Sequence, residues 1–191
     1  MNKVMFHYYI EPKVIPDLLT EDEIEYIKKE SIDKFKPSTI GDFYKVNEST
    51  RISETTFLNV EDPIINNLMK KCISRIDKPI GHCEELQVVR YKSGGFYKQH
   101  QDCMSLYDNP RMCTFIMALN DDYEGGETSF PNLDIKFKLK KGDCLFFHTL
   151  DNYEDFTSLA LHCGEPVKSG EKWICTIWVH KYPRPKPLHV Q

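Results

Sequence analysis

The chain of 191 residues lacks several features that mark particular protein classes. It has no Cys-x-x-Cys pair, and this argues against a structural zinc knuckle. It has no internal repeat and no low-complexity tract, so a repeat array is not expected. The formal net charge is −4 and no basic stripe is evident, so the sequence predicts no nucleic-acid partner.

A long apolar run is also missing from the start of the chain. Glu11, Lys13 and Asp17 interrupt MNKVMFHYYIEPKVIPDLL, so the sequence predicts neither a signal peptide nor a membrane span or membrane partner. The seven cysteines are odd in number and mostly lie inside apolar runs. We therefore expect reduced thiols and a cytoplasmic protein.

The composition that remains is that of a globular protein. Hydrophobic residues make up 40% of the chain and charged residues 28%. The length fits one domain over residues 1–191 and is sufficient for a core without disulfides. Nothing in the composition indicates an oligomeric state.

Two helices are predicted in the N-terminal part of the domain, about residues 14–80. Thr20 and Glu23 form a capping box that begins the first helix. Asp62 is a suitable N-cap for the second helix, with Pro63 at its first position. The predicted apolar face of the second helix consists of Ile64, Ile65, Leu68, Met69, Cys72, Ile73 and Ile76.

From about residue 84 the pattern is that of short strands. Ile135, Phe137 and Leu139 alternate with lysines, as in a half-buried strand. Further strand candidates are LQVVRY, CTFIMAL, CLFFHTL and KWICTIWVH. The order predicts a mainly β (α+β) fold, a sandwich or barrel core over about 84–182 with the N-terminal helices packed on one sheet. The proline-containing tail, 183–191, is expected to be extended.

One short motif suggests a metal site. In YKSGGFYKQHQDC, His100 and Asp102 are two residues apart, and such side chains point to the same side of an extended segment. Two imidazoles and one carboxylate on one face form the facial triad of mononuclear iron(II) oxygenases. His148 and His162 are both candidates for the second imidazole.

The residues after His162 favour it over His148. A KSGE turn precedes Lys172, and a hairpin there would return the chain beside His162. Lys172 shares one strand parity with Ile174, Thr176, Trp178 and His180, so all five would face one way. A buried ammonium requires an anion, and a dicarboxylate cosubstrate would supply one. His148 has no such neighbours and is interpreted as a structural strand residue.

Four segments together resemble a known family. RYKSGGFYKQHQD, RMCTFIMALNDDYEGGETSFP, LKKGDCLFF and LHCGEPVKSGEKWICTIWVH are similar to the prolyl 4-hydroxylases, over about residues 14–182. These enzymes are iron(II)- and 2-oxoglutarate-dependent dioxygenases with a double-stranded β-helix (jelly-roll) core. The resemblance implies that this chain hydroxylates prolyl residues of a peptide or protein, as procollagen-proline 4-dioxygenases do. The products would be 4-hydroxyproline, succinate and CO2, with Fe(II), 2-oxoglutarate, O2 and ascorbate as cofactors.

The same resemblance assigns a role to each matching residue. It implies metal ligands at His100, Asp102 and His162, and a Lys172 that binds the distal carboxylate of 2-oxoglutarate. It adds further cosubstrate contacts at Tyr91 and Thr128, while strand parity adds Thr176. The positions that match the peptide-substrate region are Tyr97, Arg111, Trp178 and His180.

Two alternatives stay open. The chain could be a 2-oxoglutarate oxygenase that acts on a lysyl residue or a small molecule. It could also be a jelly-roll binding module without catalysis, although the intact triad and Lys172 argue against that. The segment between Asp102 and Arg111 is short, and this affects the choice of substrate more than the chemistry.

Overall fold

The computed structural model describes residues 7–40, 45–103 and 108–184. These residues form two α-helices and fourteen β-strands, which confirms the predicted mainly β fold. No helix in this described part is both long and apolar enough to cross a bilayer. The predicted tail falls mostly outside the described residues, which end at 184.

The strands form two larger antiparallel sheets and a separate two-stranded sheet. Their bounds are β1 Lys13–Ile15, β2 Lys36–Pro37, β3 Arg51–Ile52, β4 Glu54–Leu58, β5 Leu86–Tyr91, β6 Phe96–His100, β7 Arg111–Ala118, β8 Glu124–Gly125, β9 Thr128–Phe130, β10 Ile135–Phe137, β11 Cys144–His148, β12 His162–Gly164, β13 Val167–Ser169 and β14 Lys172–His180. The large sheet has the order β1-β11-β7-β14-β5-β4-β2, and the small sheet has the order β10-β9-β12-β6-β3. β13 pairs with β8 separately.

The two helices begin where the capping residues predict. α1 spans Glu21–Ser31, and Thr20 and Glu23 exchange both hydrogen bonds of a capping box. α2 spans Pro63–Ile73, and the Asp62 carboxylate accepts from two backbone N–H groups of its first turn. One member of its predicted apolar face is misplaced, because Ile64 is 41% exposed. The members of that face that are buried on the helix are Ile65, Leu68, Met69, Cys72 and Ile73.

The large sheet separates two apolar cores. On its outer face, Cys175, Ile177 and Val179 of β14 pack with residues of both helices. On its inner face, Ile174 and Phe147 pack with Phe130 of the small sheet. The parity of β14 predicted this division: odd positions face the helices and even positions face the space between the sheets. The site described below lies in that space.

The predicted division into a helical part and a β-rich core needs correction. Four strands, β1 to β4, lie before residue 80, and they complete both sheets. β1 closes one edge of the large sheet and β4 with β2 extends the other, while β3 pairs with β6 of the small sheet. Three of these strands have only two or three residues and no clear alternation, so their pairing depends on neighbours distant in sequence.

Candidate metal centre and adjoining cavity

Two neighbouring strands of the small sheet bring both predicted histidines together. β6 and β12 are antiparallel, and His100 and His162 are direct cross-strand partners. The side chains of directly opposite residues lie on the same face of a sheet. Asp102 follows His100 by two residues, where the chain bends after β6. The three side chains therefore converge from one side of the sheet.

The potential ligand atoms of this group all lie within 4.8 Å of one another. The Asp102 carboxylate is 3.7 Å from Nε2 of His100 and 3.8 Å from Nε2 of His162. Asp102 and His162 are almost fully buried. Two imidazoles and a carboxylate at these separations match the donor set of a non-haem iron(II) site.

Hydrogen bonds fix the orientation of each potential ligand. Nδ1 of His100 contacts the Lys98 carbonyl at 2.8 Å, and Nδ1 of His162 contacts the Ala160 carbonyl at 3.0 Å. A carbonyl oxygen can only accept, so both Nδ1 atoms bear hydrogen and both Nε2 atoms keep a lone pair. Thr114 donates to the Asp102 carboxylate at 2.7 Å. The three side chains are thus preorganised as metal ligands, with both Nε2 lone pairs available for coordination.

The environment also favours the unprotonated forms that a metal requires. Burial, together with the nearby His162, lowers the pKa of His100 to about 3. Burial acts to raise the pKa of Asp102, but His162, His100 and Arg111 outweigh it and hold that pKa below its ordinary value. Metal affinity increases when the ligands need not lose protons first.

His148 lies apart from this group. It ends β11 in the large sheet, where its ring contacts Phe146, and its backbone carbonyl accepts a hydrogen bond from Tyr9. It is not a member of the His-Asp-His cluster. The structure therefore places His148 as a strand residue beside the N-terminal segment.

Lys172 is buried in the same cavity as the triad. It is 5% exposed, and its ammonium donates to the Gly126 carbonyl at 2.6 Å. Among the residues that the structure describes, no carboxylate forms an ion pair with it. Burial, followed by the charge of Lys138, lowers the pKa of Lys172 to about 8. A buried cation with only a neutral partner fits an anionic ligand.

The absence of a side chain at Gly126 leaves space for the Lys172 side chain. Gly126 has a φ of +67°, and a Cβ there would lie 3.2 Å from the Lys172 side chain. A larger residue would thus be strained and would crowd Lys172. Gly126 of the GG pair at 125–126 therefore leaves space for a cavity residue and also permits the turn.

The other predicted cosubstrate residues line this cavity. Tyr91 is the cross-strand partner of Lys172, and the Lys172 ammonium lies 5.5 Å from its ring centre. Thr128 reaches the cavity from β9 of the small sheet, and Thr176 from β14. Both threonines are buried. The cavity thus combines one ammonium with hydroxyl groups from both sheets.

Two of the predicted substrate residues, Tyr97 and Trp178, also line the cavity. The Tyr97 ring stacks on His100 with ring centres 3.6 Å apart. The indole N–H of Trp178 is buried and has no hydrogen-bond partner in the described part of the chain. A buried donor without a partner costs free energy, so it fits a site that is completed by a ligand.

The remaining two, Arg111 and His180, do not line the cavity but form a charged cluster behind Trp178. The Arg111 guanidinium lies 3.9 Å from the centre of the Trp178 ring and makes two bonds to Glu84, at 2.6 and 2.9 Å. Nε2 of His180 contacts the same carboxylate at 2.8 Å. These bonds overcome burial and lower the pKa of Glu84 to about 2.

Sequence reasoning missed several residues of this region. Glu84 has no motif around it, and Thr114 occurs inside an apolar strand, so neither gave a signal. Gln87 and Arg51 also line the cavity. The parity of Gln87 with Tyr91 on one strand could have indicated it. Arg51 reaches the site only through the pairing of β3 with β6.

The sequence is similar to a characterised protein family. The family model described as the 2OG-Fe(II) oxygenase superfamily matches residues 86–180, which include the triad and Lys172. A putative prolyl 4-hydroxylase of Acanthamoeba polyphaga mimivirus is 30% identical, and the match covers 89% of this chain and 74% of that protein. Prolyl 4-hydroxylase 1 of Arabidopsis thaliana is 34% identical over 88% of this chain and 68% of the plant protein.

A solved structure is similar over almost its whole length. The viral collagen prolyl hydroxylase of Paramecium bursaria Chlorella virus-1, determined as its complex with 2OG, superposes with a TM-score of 0.73. It is 31% identical, and the match covers 90% of this chain and 96% of that chain.

Proposed function

This chain belongs to the prolyl 4-hydroxylases of the 2OG-Fe(II) oxygenase superfamily, and we propose that it hydroxylates prolyl residues of a peptide or protein substrate. One observation carries this conclusion. The His-Asp-His cluster and the buried Lys172 meet in one cavity between the two sheets. That combination accommodates both a metal ion and a dicarboxylate.

His100, Asp102 and His162 are the proposed iron ligands. Their orienting hydrogen bonds, to Lys98, Thr114 and Ala160, are already made. When bound, Fe(II) with 2-oxoglutarate and O2 supplies the oxidising chemistry, and 2-oxoglutarate is converted to succinate and CO2. The protein contributes the geometry and the exclusion of water.

Lys172 is the proposed partner of the distal carboxylate of 2-oxoglutarate. An ion pair there would compensate the ammonium, whose hydrogen-bond partner among the described residues is the Gly126 carbonyl. Tyr91 and Thr128 offer hydroxyl groups to the same ligand, and Thr176 forms part of the wall. These contacts would hold the distal end of the cosubstrate.

A prolyl ring has no charge, so its recognition depends on shape and aromatic contact. Tyr97 and Trp178 are the proposed walls, and the free indole N–H of Trp178 can donate to a substrate carbonyl. Arg111 and His180 support this wall through Glu84. Their proposed role is to hold Trp178 in place.

The deciding experiment measures succinate release with Fe(II), 2-oxoglutarate, ascorbate and O2, with and without a proline-rich peptide. Ascorbate serves as the proposed reductant that maintains Fe(II). We expect peptide-stimulated turnover that is abolished in Asp102→Ala and His162→Ala and retained in His148→Ala. Mass spectrometry of the peptide should show one added oxygen atom on proline.

The other outcomes identify the alternatives. Turnover of 2-oxoglutarate with no oxygen on proline would point to a lysyl residue or a small molecule as substrate. Absence of both turnover and Fe(II) binding would leave a jelly-roll binding module. Equal activity in Asp102→Ala and the wild type would contradict the assigned metal ligands.

The cytoplasmic location stays a prediction. The seven cysteines are all unpaired and buried, which suits a reducing compartment.

A further inference from the structure

A second depression lies beside the active-site cavity on the inner face of the large sheet. Its lining includes Lys34, Lys36, Thr55 and Phe57, and it shares Arg51 and Gln87 with the cavity. We call these six residues the basic groove. Because two side chains, Arg51 and Gln87, border both depressions, the groove directly adjoins the cavity.

The register of the strands explains this continuity. Gln87 and Val89 of β5 line the cavity, and their direct partners on β4 are Phe57 and Thr55. Thr55 in turn pairs with Lys36 on β2. Directly opposite residues lie on the same face of a sheet, so the cavity floor extends across β4 to the edge strand.

The charge of the groove is opposite to that of the whole chain. The net charge is −4, yet the described residues that line the groove include three cations and no carboxylate. Lys36 forms no ion pair with any described residue, and Lys34 has only an exposed pair with Glu30 at 3.2 Å. An exposed pair of this kind is weak and is readily exchanged for another anion.

Arg51 lies where the groove meets the cavity and is a further cation without a carboxylate partner among the described residues. It is 7% exposed, and its bonds are to the hydroxyl groups of Ser53 and Thr55. Its guanidinium also covers the Tyr97 ring at 4.6 Å. No carboxylate pairs with it in the described ranges, so the buried charge is uncompensated by the protein. Phe57, which is 50% exposed, adds an aromatic surface to the groove floor.

We propose that the basic groove binds an acidic stretch of the same peptide that presents its proline to the triad. This inference rests on the proposed function and specifies its substrate class. β14 and β2 are three strand spacings apart, about 14 Å. An extended peptide rises about 3.3 Å per residue, so the acidic residues lie about three to five positions from the target proline.

Matched peptides test the proposal. The series contains one proline-rich peptide with neutral flanks, and versions with two aspartates or two lysines about four positions before or after the central proline. We expect the acidic version on one side to have a kcat/KM about three- to twentyfold higher than the neutral version. The advantage should shrink at high salt, because screening weakens exposed charge pairs.

Charge-reversal variants of the protein are the second part of this test. In Lys34→Glu/Lys36→Glu the acidic preference should be lost and the lysine-flanked peptide should become the better substrate. Lys70→Glu/Lys136→Glu is the control, since it changes the net charge equally at exposed lysines on α2 and β10. This control should keep the acidic preference.

The outcomes separate this inference from the proposed function. Equal kcat/KM for neutral, acidic and basic peptides would overturn the groove assignment while leaving prolyl hydroxylation intact. If Lys70→Glu/Lys136→Glu lost the preference for acidic peptides to the same extent, the groove assignment would also be overturned. The preference would then depend on the net charge of the protein and not on the groove. No turnover with any peptide would instead count against the proposed function. Competition by an oligonucleotide, but not by an acidic peptide without proline, would reassign the groove to nucleic acid.

Discussion

Two cations near the active site, the partly buried Arg111 and the buried Lys172, have opposite electrostatic environments. Arg111 is held by the Glu84 carboxylate, which also binds His180, so its charge is compensated inside the protein. Lys172 has a carbonyl as its hydrogen-bond partner and no carboxylate among the described residues. One cation belongs to a completed structural cluster, and the other is available to an anion from outside.

The pKa values express the same difference. The bonds from His180 and Arg111 overcome burial and lower the pKa of Glu84 to about 2, so the cluster stays ionised. Burial, followed by the charge of Lys138, lowers the pKa of Lys172 to about 8, and the opposing charge of Glu127 offsets only part of this. Removing the anion from a cluster of the first kind destabilises the fold, whereas a charge of the second kind destabilises it until a ligand binds.

Substitution of Lys172 should give the largest effect. In Lys172→Met we expect the KM for 2-oxoglutarate to rise at least about 30-fold, because a buried charge-assisted contact is lost. The free energy of unfolding without ligand should rise, by up to about 3 kcal/mol at neutral pH, since an uncompensated buried charge is removed. Steady-state kinetics and urea unfolding measure the two quantities.

The exposed Lys168→Met is the matched control for this change. It should alter neither the KM nor the stability. A large loss of stability in Lys172→Met, with an unchanged KM, would contradict the contrast between the two cations.

Substitution of Glu84 should lower stability and leave the KM for 2-oxoglutarate nearly unchanged, the reverse of the effects expected for Lys172→Met. Glu84→Gln leaves Arg111 and His180 without their anion, so we expect the unfolding free energy to fall by about 2–3 kcal/mol. The KM for 2-oxoglutarate should change little, because the cluster lies behind Trp178 and not beside Lys172. Urea unfolding at neutral pH gives the first value, and the exposed neighbour Glu85→Gln is the control.

Acid provides an independent check on Glu84. Its pKa is lowered on folding, so its contribution is fully present above pH 4.5 and is lost as the pH falls toward 2. The stability difference between wild type and Glu84→Gln should therefore shrink over that range. A difference that stays constant down to pH 2 would show that the carboxylate charge is not its source.

The two cations also show how far the sequence alone could lead. Lys172 could be assigned because the parity of KWICTIWVH places it on the site face and the KSGE turn returns it near His162. The Glu84 cluster could not, because it depends on the register between segments about a hundred residues apart. The helix caps are local signals and were predicted correctly, whereas β1, β2 and β3 are short and obtain their partners only in the folded chain.

Within one pH unit of 8, the pH dependence of cosubstrate binding should give the smallest effect, and it is the most direct test of the Lys172 charge. Below pH 8 the ammonium is protonated and binds a carboxylate; above it the unliganded protein loses that proton. The KM for 2-oxoglutarate should therefore rise above pH 8, by up to about tenfold per pH unit. Lys172→Met has no such proton, so the ratio of the two KM values at each pH cancels effects on iron. This ratio should approach one as the pH rises, and a constant ratio from pH 7 to 10 would contradict a titrating Lys172 as the anchor.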